Sequence, residues 1–249
     1  MPVAEANTFS LVGRCARTGE LGACVASAVP AVGAICLVSR PGVGVASTQS
    51  WVNPYLAHDA LERMAAGDGA RDALSGVLTG DEASAFRQIG LIGADGPGAA
   101  HTGDSCTAWC GQRTCTDHAA QGNMLTGPEV IEAMARQFAA ASAMPLEERL
   151  MRALEAAQSA GGDKRGRQSA ALLVASGEAY PRLDLRVDEH PDPIAELRRI
   201  LGVASAQLVP FIAGMPRRSV PPAPPDDRVV AMLLKPPPQR PGGGGSAEP

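Results

Sequence analysis

The chain has 249 residues, of which 45% are hydrophobic, 3% aromatic and 19% charged, and its formal net charge is −4. This length allows one large domain or two small ones with an aliphatic core, and the mildly acidic balance argues against broad binding to nucleic acids or membrane surfaces. No apolar run approaches the ~18 residues of a membrane span. The N-terminus lacks the basic and apolar regions of a secretory signal, so we expect a cytoplasmic protein with neither membrane nor nucleic-acid partners.

The first 50 residues are typical of a sheet built from small side chains. Strands are predicted at 8–13, 21–29, 34–39 and 43–49, and the turn Arg17–Glu20 favours a hairpin between the first two. Each of the four strands contains glycine or alanine, and the second and fourth contain several such residues. A sheet of this composition can be covered closely by another layer, so we expect it to be buried on at least one face.

The middle of the chain alternates helices with a second pair of strands. Helical spacing of apolar residues predicts helices at 55–66 and from Asp68 to Gly80. A strand at 87–94 is followed by the hairpin signal Asp95-Gly96 and a partner strand at 98–102. The segment 105–117 is irregular. Two further helices are predicted to pack as an antiparallel pair, one after a capping box from Thr126 to Glu129 and one from Pro145.

Six cysteines fall into two groups of three. The first group lies in apolar runs, where cysteine acts as a small hydrophobe, whereas the second has spacings that lack a C-x-x-C pair. We therefore expect reduced thiols, no metal and no cofactor. The two groups are Cys15, Cys24 and Cys36, and Cys106, Cys110 and Cys115.

The stretch Gly161–Val174, GGDKRGRQSAALLV, joins a charged, glycine-rich loop to an apolar strand that begins at Ser169. Asp163 can orient the neighbouring cations, and the guanidinium groups of Arg165 and Arg167 suit a substrate carboxylate. The alternative is a solvated turn between a helix and a strand.

The rest of the chain adds an alternating strand at 183–187 and a helix entered through His190 and Asp192. Beyond it, the Pro- and Gly-rich segment 214–249 predicts a disordered tail. The order of elements indicates an α+β layered domain over residues 8–213, preceded by a mobile extension, 1–7.

Five blocks of sequence resemble, in order, the bacterial and archaeal domain-of-unknown-function family 1028 over about residues 8–202. The blocks are TFSLVGRCARTGELGACVAS, AVGAICLVSRPGVGVASTQSWVNP, QGNMLTGPEVIEAMA, AGGDKRGRQSAALLV and LDLRVDEHPDPIAELRRIL. The resemblance implies a four-layer αββα sandwich of the N-terminal-nucleophile (Ntn) hydrolase type. Such sandwiches often associate, so it also implies a possible homodimer.

The resemblance singles out Thr8, at the start of the first strand. In Ntn hydrolases this residue is the free N-terminus, its hydroxyl attacks an amide carbonyl, and its own α-amine is the base. Here seven residues, MPVAEAN, precede Thr8, and removal of Met1 would expose Pro2. Either the bond between Asn7 and Thr8 is cleaved, or translation starts later, or Thr8 only opens a strand.

Other polar residues have a functional and a structural interpretation. Asn123, assisted by Gln121, can stabilise an oxyanion or belong to a turn, and Asp163 can tune the α-amine. His101 is a possible base, although a lone histidine beside a strand is more often structural. The remaining candidates for binding substrate lie at strand ends, where pocket groups and turn formers both occur; they are Thr48, Gln49, Asn53 and Ser169.

Two functions follow from these readings. The first is an amidohydrolase that cleaves a C–N amide bond in a small molecule or peptide. The second is a non-catalytic Ntn-like protein that binds a small metabolite or a partner protein.

Overall fold

The computed structural model describes residues 8–221 and 223–235 and divides the chain into two units, Met1–Ile200 and Leu201–Pro249. The strands are β1 (Thr8–Arg14), β2 (Leu21–Ser27), β3 (Leu37–Arg40), β4 (Gly44–Ser50), β5 (Arg87–Gly93), β6 (Ala99–Thr102), β7 (Gly111–Thr114), β8 (His118–Asn123), β9 (Ser169–Ala175) and β10 (Pro181–Val187). The helices are α1 (Val32–Cys36), α2 (Pro54–Ala65), α3 (Ala70–Thr79), α4 (Glu129–Ala140), α5 (Leu146–Ser159), α6 (Pro193–Ala213) and α7 (Asp227–Leu233).

β1 is an interior strand of a six-stranded antiparallel sheet with the order β10-β9-β2-β1-β8-β7. The predicted hairpin between β1 and β2 is confirmed. In the register of the sheet, Thr8 lies opposite Ser27 on one side and Asn123 on the other. The first described residue of the chain is thus held between two strands.

A second antiparallel sheet, β3-β4-β5-β6, packs face to face on the first, with β4 and β5 against β1 and β5 against β8. The helices α2 and α3 cover the outer face of the second sheet, and α4 and α5 cover the outer face of the first. The protein is therefore a mixed α+β structure of antiparallel sheets with helices on their outer faces.

Small residues allow these layers to approach closely, as the composition of the strands predicts. A Cβ atom on Gly22 of β2 would lie 2.8 Å from Leu150 Cδ1 of α5 and 2.7 Å from the carbonyl oxygen of Leu173. Between the two sheets, one end of the interface is apolar and includes Val12, Val45 and Ile92. At the other end of the interface, where β1 begins, the buried residues are polar and include Ser10, Gln49 and Gln88.

The strand predicted at 34–39 is wrong in its first half. Residues Val32–Cys36 form the short helix α1, which follows Ala31 in the left-handed region at φ 53°. An apolar run of this length does not distinguish strand from helix, but its buried residues, Val32 and Cys36, have the four-residue spacing of a helix. The strand begins only at Leu37.

The segment 105–117, predicted to be irregular, contains the edge strand β7. The strand β8, which was not predicted, follows it and pairs with β1. The capping box predicted at the start of α4 is also absent: Pro128 occupies the cap position and makes no side-chain cap bond. By contrast, Asn53 caps α2 by accepting a hydrogen bond from Tyr55 N at 3.2 Å.

None of the six cysteines, all of which lie among the described residues, forms a disulfide bond, and the first three are buried. Burial raises the pKa of the Cys24 and Cys36 thiols, so both remain protonated and pack as small apolar groups. Within the described residues, no cluster of His, Cys, Asp or Glu side chains is arranged to hold a metal ion. Nor does any described helix have the length and apolar character needed to cross a membrane.

The second unit contains the C-terminal part of α6, with Pro210 inside the helix, and the short helix α7. Asp226 caps α7 by accepting a hydrogen bond from Arg228 N at 2.7 Å. The disordered tail predicted at 214–249 therefore includes one helix where the structure describes it. Residues 1–7, 222 and 236–249, on which parts of the terminal predictions fall, lie outside the described residues.

Candidate functional site

Thr8 is fully buried at the polar end of the space between the sheets. Its hydroxyl donates to Ser27 Oγ at 3.2 Å, and its carbonyl oxygen accepts from Gln49 Nε2 at 3.1 Å. These bonds hold both the side chain and the backbone of Thr8. Ser27 therefore belongs to the site, although the sequence did not single it out.

Gln49 and Asn123 are joined through a buried amide, Gln88 on β5. Gln88 Oε1 accepts from Gln49 Nε2 at 2.7 Å and from Asn123 Nδ2 at 3.0 Å. Gln88 Nε2 donates to the carbonyl oxygen of Gly122 at 2.8 Å and to Thr102 Oγ1 at 2.9 Å. Two candidates from different sheets are thus brought together by a residue that sequence reasoning missed.

Gln121 extends the same network on the side of β1. Its Nε2 donates to Ser10 Oγ at 2.8 Å, and the hydroxyl of Ser10 donates to Gln49 Oε1 at 2.7 Å. The side chain of Gln121 is thus tied to β1 within its own sheet, and the bond from Ser10 to Gln49 links that sheet to the other; Gln121 Oε1 is buried without a partner among the described residues. We refer to Ser10, Gln49, Gln88, Gln121 and Asn123 as the amide network.

The glycine-rich loop that the sequence singled out lies beside Ser27. Asp163, 4% exposed, accepts from the backbone N–H of Ala28 at 3.2 Å and from that of Arg165 at 2.9 Å. It also forms an ion pair with the Arg165 guanidinium at 3.2 Å. The carboxylate thus fixes the loop against the residue that follows Ser27, and Arg165 is engaged in neutralising it.

Ser169 is a structural anchor at the start of β9. Its hydroxyl, fully buried, donates to the carbonyl oxygen of Val29 and accepts from Val32 N at 3.1 Å. It therefore fixes the connection between β2 and α1. This arrangement agrees with the strand-edge interpretation of Ser169.

Three more candidates make local contacts. Thr48 is buried and donates weakly to the carbonyl oxygen of Asn53, at 3.5 Å, and Asn53 itself caps α2. Arg167 is exposed and lies 3.3 Å from Asp192. Of these, Arg167 alone presents a charged group to solvent beside the loop.

Three histidines, of which His101 and His190 were considered in the sequence, lie in structural positions. His101 Nε2 is 2.9 Å from the carbonyl oxygen of Ser84, and His190 Nδ1 accepts from Asp192 N at 3.0 Å. His118 is the first residue of β8, whereas Asn123 is its last. The centre of the His118 ring lies 5.0 Å from that of the Phe138 ring. Burial, aided by the nearby Arg149 guanidinium, lowers the pKa of His118 to about 4.

Comparison with known proteins places this geometry in context. The model of a family of unknown function, DUF1028, matches residues 8–197. A crystal structure of a Silicibacter pomeroyi protein assigned to that family model is 30% identical, with a TM-score of 0.79 over 86% of this chain and 93% of that one. No curated protein sequence matches the chain.

A more distant structure is Anbu, the ancestral β-subunit, from Yersinia bercovieri. It is 13% identical, with a TM-score of 0.39 over 85% of this chain and 100% of that one.

Proposed function

The chain belongs to the family of unknown function DUF1028, and from this premise we propose that it is an Ntn-type amidohydrolase with Thr8 as its nucleophile. In this proposal the two face-to-face sheets and their outer helix pairs are the αββα sandwich of that fold. The substrate is a small molecule or peptide that contains a C–N amide bond.

The observation that carries the proposal is the environment of the Thr8 hydroxyl. It lies fully buried at the head of an interior strand, 3.2 Å from the hydroxyl of Ser27, with its backbone held by Gln49. A hydroxyl in this position is fixed in one orientation and shielded from bulk water. Fixed orientation is what a weak nucleophile needs in order to attack a carbonyl carbon.

The chemistry requires that the α-amine of Thr8 be free. An N-terminal amine titrates near neutrality, at a pKa of roughly 8, and can accept the hydroxyl proton as Oγ1 bonds to the carbonyl carbon. The same proton then passes to the departing amine as the C–N bond breaks. Water hydrolyses the resulting ester and restores Thr8.

Asn123 is the proposed oxyanion donor, and the contacts of its amide are consistent with this role. It lies opposite Thr8 in the sheet, and Nδ2 gives one of its two hydrogens to Gln88. The second hydrogen can donate to the oxygen that becomes negative during attack. Asp163 acts indirectly, because its carboxylate positions Ala28 beside Ser27.

The proposal is tested by comparing the full chain with a variant in which the initiator methionine directly precedes Thr8. Intact mass gives the N-terminus of each preparation, and both are assayed with a panel of N-acyl aminocoumarins and lactams. We expect hydrolysis only in species whose mass begins at Thr8. In those species Thr8→Ala should lower the rate by about 10³-fold or more, because the nucleophile is lost.

Thr79→Ala, which removes a surface hydroxyl bonded only to the helix backbone at Ser75, is the matched control and should leave the rate unchanged. Hydrolysis by a species that retains residues 1–7 would contradict the role of Thr8.

A second candidate, a non-catalytic protein that binds a metabolite or partner, is favoured by the seven residues that precede Thr8. A stable mass for the intact chain, together with inactivity of the variant that begins at Thr8, would support this candidate instead.

A further inference from the structure

A cavity of about 530 Å³ opens on the glycine-rich loop. Its wall combines the loop with the end of α5 and the residues before α4. The residues that define it are Thr126, Gln158, Gly161, Lys164, Gly166 and Arg167. Asp163 also lines the cavity, and it connects this wall to the surroundings of Thr8.

The shape of this wall depends on two consecutive glycines. Gly161 and Gly162 have φ values of +123° and +62°, which L side chains rarely adopt. A Cβ atom on Gly161 would lie 2.1 Å from Thr126 Oγ1. The loop can therefore press against Thr126 only with glycine at this position.

The charges in the cavity do not cancel. The negative charge of Asp163 is already met by the Arg165 guanidinium and two backbone N–H groups. The Lys164 ammonium donates to the carbonyl oxygen of Ala108 at 2.8 Å, and within the described part of the chain no carboxylate lies in ion-pair distance of it. The cavity therefore has a surplus cation.

Arg167 provides a second cation that a ligand can recruit. Its ion pair with Asp192 is 3.3 Å long, and the two side chains are 43% and 44% exposed. Such an exposed pair contributes little free energy, so a ligand carboxylate can replace Asp192 at small cost. A guanidinium and an ammonium on the wall of one cavity, together with a carboxylate that is already neutralised, make a suitable receptor for an anion of carboxylate size.

We propose that this cavity binds a carboxylate group, held by Lys164 Nζ and the Arg167 guanidinium. Resting on the proposed function, the inference also names a substrate class: amides that carry a free carboxylate, such as acylated amino acids or short peptides with a free C-terminus. The binding itself depends on the loop and not on the Thr8 amine.

The test is isothermal titration calorimetry of the full chain with glutarate, using its uncharged diamide, glutaramide, as the control ligand. We expect glutarate to bind, glutaramide not to bind, and added salt to weaken the binding of glutarate. Lys164→Met should weaken it about tenfold, because a charge-assisted hydrogen bond is lost. Lys164→Arg, which keeps the charge, should restore part of that loss.

Lys235→Met is the matched control, since Lys235 is the other lysine of the chain and lies in the second unit. Because Lys164 is exposed, both variants should fold, which thermal melting verifies. The inference is overturned if glutarate does not bind, if glutaramide binds equally well, or if the two methionine variants bind alike. Glutarate binding without any amide hydrolysis would overturn the proposed function and leave the carboxylate site standing.

Discussion

At the scale of single residues, Gln88 is the hub of the polar end of the sandwich. Its oxygen accepts from two amides, and its nitrogen donates to a carbonyl and a hydroxyl. Because every polar atom of this fully buried side chain is used, its removal leaves several neighbours without partners. A buried donor or acceptor that loses its partner lowers the free energy of unfolding by more than a typical hydrogen bond adds to it.

We therefore expect Gln88→Leu to lower the free energy of unfolding by about 2–4 kcal/mol, as measured by urea denaturation. Gln112→Leu removes the same group from an exposed position on the edge strand β7 and should cost less than about 1 kcal/mol. Equal losses for the two variants would mean that the network contributes little stability.

At the scale of elements, the close approach of α5 to the sheet depends on Gly22. A methyl group there would meet both Leu150 and a backbone oxygen of the neighbouring strand. The helix could retreat, but the backbone of β9 is fixed by its pairing with β2 and β10. Overpacking at such a point is not relieved by rotation of one side chain.

Gly22→Ala should lower the free energy of unfolding by about 1–3 kcal/mol. Gly202→Ala is the opposite case, because nothing lies within 4 Å of the added methyl group and the position is helical. That variant should be neutral or up to about 1 kcal/mol more stable. Calorimetry of both distinguishes the effect of close packing from that of losing a glycine.

Some secondary-structure elements could be predicted from the sequence and others could not. β10 was predictable because Leu183, Leu185 and Val187 alternate with exposed polar residues. β8 was not, because its buried face includes Gln121 and Asn123, which resemble loop residues when read alone. Their partners, Gln88 on β5 and Ser10 on β1, are distant in sequence, so a local pattern carries no sign of them.

At the scale of the whole molecule, His118 links stability to pH. The unfolded chain protonates this imidazole near pH 6.5, whereas the folded protein does so only near pH 4. Because only the unfolded chain binds this proton between about pH 6.5 and 4, the folded state loses stability as the pH falls through that window.

We expect the free energy of unfolding to fall in that window by up to about 1.4 kcal/mol per pH unit from this group alone. His118→Gln should flatten this slope in urea denaturation at successive pH values. His58→Gln, at an exposed position on α2, should leave it unchanged. A slope that survives in His118→Gln would assign the pH dependence to other groups.

Only some residues of the candidate site could be proposed from the sequence. Thr8 and the glycine-rich loop remain predictions from the sequence, and the structure adds that the loop contacts the residue after Ser27 through the bond from Ala28 N to Asp163. The separate roles of Lys164 and Arg165 within the loop could not be predicted, because they depend on which group each side chain contacts in the folded protein. Arg165 meets Asp163, while Lys164 reaches a carbonyl and faces the cavity.

The amide network also constrains how the molecule can move. Apolar contacts between sheets tolerate gliding because they have no preferred direction, whereas hydrogen bonds weaken steeply when their atoms shift or tilt. The bonds that join Gln49, Gln88 and Asn123 therefore lock the two sheets into one rigid frame. Under the proposed function, access of a substrate to the buried Thr8 therefore requires movement of the surrounding loops and not of the two sheets.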